Sequence, residues 1–188
     1  MPQPPGDADS RRLDGCSLTL VVPAHNEQEI IERSLRRFLG IGRGFVADQL
    51  IDRFMVVVVD DGSTDDTAEV ATAAGARVVS EPRRGYGRAC ASGLARVGQT
   101  AEVVCFMDGE GSDVPTCLEN VVSPILKHDS DFVMGSRLRG HREKGSMTPQ
   151  QLVAGWLAGI LLRWTYGVRF TDMSPFRAMR VETLRSLG

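Results

Sequence analysis

Residues 54–60 read FMVVVVD, an unbroken apolar run that stops on an acid. A strand with one face in water alternates polar and apolar side chains. A strand apolar at every position is covered on both faces, as parallel strands sandwiched between helices are. SLTLVVP (17–23) and EVVCFMD (102–108) have the same character. Helical periodicity fills the gaps. NEQEIIERSLRRFLG places Ile30, Ile31, Leu35, Phe38 and Leu39 on one face, with Gly40 as a stop, and residues 41–53 read as an irregular connector. DGSTDDTAEVATAAG predicts a helix capped by Ser63 or Thr64 and ended by Gly75. ARVVS is a short third strand, and a helix is predicted from about Gly87 to Val97. VPTCLENVVSPIL is a further helix and DFVMGSR (131–137) a fifth strand. The alternation βαβαβαβαβ predicts an α/β domain with a mostly parallel sheet and right-handed crossovers.

The chain has 188 residues and a formal net charge of −2, enough for one core and without the basic stripe of a nucleic-acid binder. Cys16, Cys90, Cys105 and Cys117 form no CxxC pair and read as reduced thiols of a cytoplasmic protein. Residues 1–14 carry no apolar core of signal-peptide length, and their Pro, Gly and Asp content predicts a loose tail.

In parallel α/β sheets, ligands bind beyond the carboxyl ends of the strands. The segments there are Pro23-Ala24-His25-Asn26-Glu27, Asp60-Asp61-Gly62-Ser63, Arg83-Arg84-Gly85-Tyr86-Gly87 and Asp108-Gly109-Glu110. Four successive strand ends in polar, Gly-rich chemistry define a candidate site. A dinucleotide fold wants GxGxxG after the first strand, where this chain has PAHNE, and no P-loop is present. Aspartyl-phosphate hydrolases space their two acids one residue apart, whereas Asp60 and Asp61 are adjacent. A response-regulator receiver needs Ser or Thr after its fourth strand and Lys after its fifth; here Asp108 and Gly135-Ser136-Arg137 stand there.

The blocks VVPAHNE, VVVDDGSTDDT, RRGYGRACASGL, FMDGEGSD, FVMGSR and TDMSPFRAMR, in this order, resemble an inverting family 2 glycosyltransferase of the GT-A fold, a Rossmann-like, mostly parallel sheet flanked by helices. The nearest likeness is to the branch of dolichyl-phosphate mannose synthases and related polyprenyl-phosphate sugar transferases, from about Ser17 onward. The resemblance implies a UDP- or GDP-linked sugar as donor and Mg²⁺ or Mn²⁺ as cofactor. By matching position it places Pro23, Ala24 and Glu27 along the base and ribose, and Asp60 at the base with Asp61 beside it. Arg84 and Gly85 then close over the nucleotide. Asp108 and Glu110 stand at the DxD, toward ribose and metal; Glu110 departs from the usual Asp by one methylene. Arg137 faces the phosphates. The chemistry agrees, since a hard cation held by one or two carboxylates and phosphate oxygens neutralises a diphosphate leaving group.

On the acceptor side, Asp172 is the candidate base if a hydroxyl attacks. If a polyprenyl phosphate attacks, its oxygen is already ionised and Asp172 would instead orient Arg177. The apolar segment 150–167, with Trp156 and Trp164, reads equally as a buried helix or as one lying in a membrane interface. His25 carries a structural reading, Asp65 and Asp66 read as helix N-terminal acids, Asp113 as an N-cap, and Tyr86 as either a stacking or a plain loop aromatic. The expected organisation is one domain over 15–188, with a nucleotide half at about 17–137 and an acceptor half at 138–188 that stops short of the family pattern. The expected activity is sugar transfer to a polyprenyl phosphate, peripherally on the inner face of the membrane. A soluble hydroxyl acceptor, and a nucleotide-sugar-binding subunit inactive alone, are the competing readings; a homo-oligomer or a partner subunit would complete the latter.

Overall fold

The computed structural model describes residues 16–97, 101–109, 117–135 and 175–186. They form six strands, β1 (Ser17–Ala24), β2 (Arg53–Asp60), β3 (Arg77–Ser80), β4 (Val103–Phe106), β5 (Phe132–Met134) and β6 (Arg177–Arg180). The helices are α1 (Ile31–Ala47), α2 (Thr67–Ala73), α3 (Tyr86–Leu94), α4 (Leu118–Leu126) and α5 (Val181–Ser186). The strands form one sheet in the order β3-β2-β1-β4-β6-β5. β1 pairs in parallel with β2 and β4, and β2 with β3, so these four carboxyl ends share one edge.

The unbroken apolar run of β2 has the expected cause. Val56 and Val58 point into a core with Leu18, Leu20, Val22, Ile31, Leu35 and Phe38. Val57 and Val59 point the other way, into a second core with Val21, Val104, Phe106, Ala89 and Cys90. Each face of the sheet is therefore covered, and period-two alternation has nothing to mark. All four cysteines are free thiols, three of them buried. Burial, then a hydrogen bond with Glu102, pushes the Cys16 thiol up to about 12.

Two expectations are corrected, and one strand is added. α1 does not stop at Gly40 but runs to Ala47, through Gly40, Gly42 and Gly44. Tertiary packing overrides glycine's weak helix propensity there: Gly42 is buried under the Phe54 ring, which a Cβ would strike. Neither Ser63 nor Thr64 caps α2; its N-cap is Asp66, with no side-chain cap bond. The added strand, β6, lies between β4 and β5. β6, which has no apolar run to announce it, enters between them antiparallel to both, pairing Phe106 with Arg177 and Met134 with Arg177. Among the described residues, no helix is long and apolar enough to cross a membrane. The Trp156–Trp164 segment lies outside the described residues, as do Glu110, Asp113, Arg137 and Asp172.

The three α1 glycines make a test. A Cβ at Gly40 meets nothing within 4 Å. Gly40→Ala is expected to stabilise the fold by about 0.5–1 kcal/mol in urea unfolding, and Gly42→Ala to destabilise it by about 1–3 kcal/mol. Equal effects would mean that Phe54 does not press on α1.

Candidate active site

The parallel register sets Ala24 beside Asp60 and Asp60 beside Ser80. Chain segments leaving these ends are then stitched together. The Asp61 N–H donates to the Ala24 carbonyl (2.9 Å), and His25 Nδ1 bonds the Asp61 carbonyl (2.9 Å). Asn26, in the left-handed region at φ 54°, donates its N–H to Ser63 Oγ (3.1 Å), and its Oδ1 accepts the Thr64 N–H (2.8 Å). The Glu27 N–H donates to Thr67 Oγ1 (2.8 Å). The Thr67 hydroxyl, then the Gln28 and Thr67 amides, hold the Asp65 carboxyl below the usual range, so Asp65 is a turn acid that also ties to the loop after β1. Ser63 and Thr64 thus bind the neighbouring loop rather than cap α2.

The paired acids divide their work. Asp60 Oδ1 accepts the Ser63 N–H (3.0 Å) within its own turn. Asp61 reaches across to the next loop, where both its oxygens take the Gly85 N–H (3.0 and 3.1 Å). Gly85 has φ 147°, a conformation that side-chain-bearing residues rarely adopt, and it opens α3. Gly62, at φ 66°, lies under this loop, a Cβ there sitting 3.5 Å from Arg84 Cγ.

A cleft of about 270 Å³ opens at this edge, lined by Pro23, Ala24, His25, Glu27, Asp61, Tyr86 and Asp108. Five of the sequence-derived candidates, Pro23, Ala24, Glu27, Asp61 and Asp108, therefore share one wall. Gly109 lets Glu27 reach this wall, because any Cβ at Gly109 would collide with the Glu27 carboxylate. Asp60, Arg84 and Gly85 are not among the lining residues; Asp60 precedes Asp61 in the chain, and Gly85 is bonded to it. Arg177 begins β6 beside the end of β4, its guanidinium 5.4 Å from the Phe106 ring centroid. Its Nε is buried with no acceptor among the described residues.

Sequence reasoning undervalued two lining residues. Tyr86 is the first residue of α3, 40% exposed, and faces the cleft. Burial first, then the neighbouring Cys90, pushes its phenol up, so it is a neutral hydrogen-bond group at physiological pH. His25 also lines the cleft, its ring fixed by the Asp61 carbonyl. Their signal was position alone, one residue beyond a strand end and one beyond a left-handed glycine.

With this geometry in hand, comparison defines the class: the chain belongs to glycosyl transferase family 2, whose family profile matches residues 19–188. It is 34% identical over 178 residues to an uncharacterized glycosyltransferase of Mycobacterium tuberculosis (strain ATCC 25618 / H37Rv), covering 94% of this chain and 73% of that protein. It is 23% identical over 189 residues to a UDP-N-acetylglucosamine–dolichyl-phosphate N-acetylglucosaminyltransferase of Methanococcus voltae, covering 90% of this chain and 71% of that one. Among solved structures it is similar to the M. tuberculosis glucosyl-3-phosphoglycerate synthase in complex with Mn²⁺, UDP-glucose and phosphoglyceric acid. The identity is 28% and the TM-score 0.68, over 92% of this chain and 60% of that enzyme. The chain thus spans about three-fifths of that enzyme's length. The same enzyme is also solved with Mg²⁺ and UDP.

The Asp61–Gly85 bond predicts its own test. Asp61→Ala is expected to leave the Gly85 N–H unpaired and cost about 1–3 kcal/mol in thermal or urea unfolding, while Asp61→Asn, which still accepts, costs less. A neutral Asp61→Ala would show that the bond does not hold the loop.

Proposed function

We propose that the chain is a metal-dependent glycosyltransferase that takes a sugar from a UDP-linked donor bound at the carboxyl-end cleft. The observation that carries this reading is the convergence of Glu27, Asp61, Tyr86 and Asp108, from separate strand ends, on one wall. Its likeness to an enzyme solved with UDP-glucose and Mn²⁺ supports the donor.

In this reading Pro23, Ala24, Glu27 and Asp60 shape the nucleoside side, and Asp61 serves it by holding Gly85 and, with it, Arg84 over the nucleotide. Asp108 and Glu110 would hold the cation. The donor set fits: Asp108, a hard carboxylate donor, lines the cleft. Mg²⁺ and Mn²⁺ sites of one or two carboxylates completed by substrate phosphate have that form. A cation held there would supply the positive charge that a departing diphosphate needs. The chain's own residues do the rest: Glu27 packs against Gly109, the residue after Asp108, and Arg177 adds positive charge at the end of β4.

For the acceptor we favour a soluble, phosphate-bearing hydroxyl compound, because an enzyme solved with phosphoglyceric acid is among the structures this chain resembles. The acceptor oxygen bonds to the sugar's anomeric carbon as the bond to the diphosphate oxygen breaks. Asp172 takes the hydroxyl proton, the nucleoside diphosphate leaves, and Arg137 and Arg177 face phosphate. The dolichyl-phosphate enzyme among the relatives favours a second reading, a polyprenyl phosphate that needs no base, transferred at a membrane surface. The division into a nucleotide half at about 17–137 and an acceptor half beyond it belongs to the same proposal.

Calorimetry with UDP-glucose and GDP-mannose, with and without Mn²⁺, tests the donor. UDP-glucose with Mn²⁺ is expected to bind most tightly. Asp108→Ala or Glu110→Ala is expected to remove the metal-dependent increment, and Asp60→Ala to weaken binding with or without metal. Metal-independent binding that both acid variants retain would refute the metal reading. Transfer assays with 3-phosphoglycerate and with polyprenyl phosphate then separate the two acceptors.

A further inference from the structure

Glu81 is a charged residue with no place in the site as described. It directly follows β3, is 8% exposed, and does not line the cleft. A carboxylate is buried at high cost unless its oxygens are bonded. Here both are: Oε2 accepts the Ser92 hydroxyl (2.6 Å), and Oε1 accepts the Arg83 N–H (3.1 Å) with the Arg83 Nε at 3.6 Å. The Ser92 hydroxyl, then the Arg83 amide, holds the Glu81 carboxyl below the usual range, so it is anionic at neutral pH.

The partners define the role. The Glu81 N–H donates to the Asp60 carbonyl (2.8 Å), which fixes Glu81 to the end of β2. Its side chain reaches Arg83 in the following loop and Ser92 within α3. α3 starts at Tyr86 with no side-chain cap, so its first turn draws no order from a capping residue. The segment from Glu81 to Gly85 therefore has two fasteners, Asp61 at its tip and Glu81 at its base. Between them lies Arg84, and just beyond them Tyr86 on the cleft wall.

We infer that Glu81 is a positioning residue for donor binding: it ties β2, the 81–85 loop and α3 together so that Gly85 and Tyr86 meet the nucleotide in place. It acts through the loop and touches no ligand. The inference rests on the donor site proposed above. Ordering this loop before binding removes an entropic cost that the donor would otherwise bear.

The experiment measures UDP-glucose binding with Mn²⁺ by calorimetry, and trypsin cleavage after Arg83 or Arg84 in the free protein, well below its melting temperature. Glu81→Ala is expected to raise Kd about tenfold and Ser92→Ala about threefold. Both are expected to speed cleavage at the loop, with UDP-glucose and Mn²⁺ suppressing it. Glu81→Gln, which keeps an accepting oxygen, is expected to restore most of the affinity and the protection. A purely structural Glu81 would lower Tm in Glu81→Ala while leaving Kd and cleavage of the folded protein unchanged, and that result overturns the inference. If Glu81→Ala does not fold, Ser92→Ala decides: wild-type Kd and cleavage in that variant overturn it. Glu81→Gln behaving no better than Ala overturns it as well. Failure of the wild-type chain to bind UDP-glucose would refute the donor reading instead, and the cleavage rates would still report on the loop.

Discussion

One backbone hydrogen bond beyond the end of the sheet organises the site: the Asp61 N–H to the Ala24 carbonyl, 2.9 Å. It continues the β1–β2 ladder one step past the Ala24–Asp60 pair. Because it exists, the loops that follow both strands leave the sheet side by side. Asn26 can then exchange bonds with Ser63 and Thr64, and Glu27 can lean on Thr67. The next loop is held from this same point, since Asp61 clasps Gly85 with both carboxylate oxygens. The register of two buried strands thus becomes the shape of a polar cleft, and a slip by one residue would turn Asp60 and Asp61 to the wrong faces.

The parts of the fold legible in the sequence were those whose cause is local. Apolar runs marked β1, β2 and β4, because covering both faces of a sheet leaves a one-dimensional signature. α1 announced its buried face through Ile31, Leu35 and Phe38. Its length was hidden, because Gly42 is tolerated through its fit against Phe54, a residue of β2. β6 was hidden for a similar reason. Its alternation is short, and its place between β4 and β5 depends on pairing across the chain. Ser63 and Thr64 read as caps because that is the local use of such residues, yet their partner Asn26 lies 37 and 38 residues away.

The site shows the same division. Strand-end position was sufficient to gather Pro23, Ala24, Glu27, Asp61 and Asp108, since parallel strands deliver their ends to one edge. What each acid does there was not legible. Asp60 and Asp61 are adjacent and chemically alike, but their side chains point to opposite sides of the strand axis, one into its own turn and one across to Gly85. Glu81 escaped notice because an acid after a strand reads as surface charge until Ser92, eleven residues later, is seen to bond it.

The electrostatics of the cleft bear on the proposed chemistry. Glu27, Asp61 and Asp108 bring carboxylates to a wall meant, on this reading, for a diphosphate. Two like charges 4 Å apart repel by about 1 kcal/mol in water and by several times that near a protein surface. Asp61 is engaged by an amide, which shares its charge without cancelling it. Arg177 stands at the end of β4, but its guanidinium lies against the Phe106 ring. The described side chains of this wall therefore suit the nucleoside, whose neutral N–H and O–H groups would find acceptors there, better than the phosphates. On this reading a divalent cation held at Asp108 would reverse the sign of that end of the cleft, so affinity for the diphosphate would be set by the metal and recognition of the nucleoside by the strand ends. On that argument the nucleoside alone binds weakly and indifferently to metal, and the diphosphate adds affinity only with it.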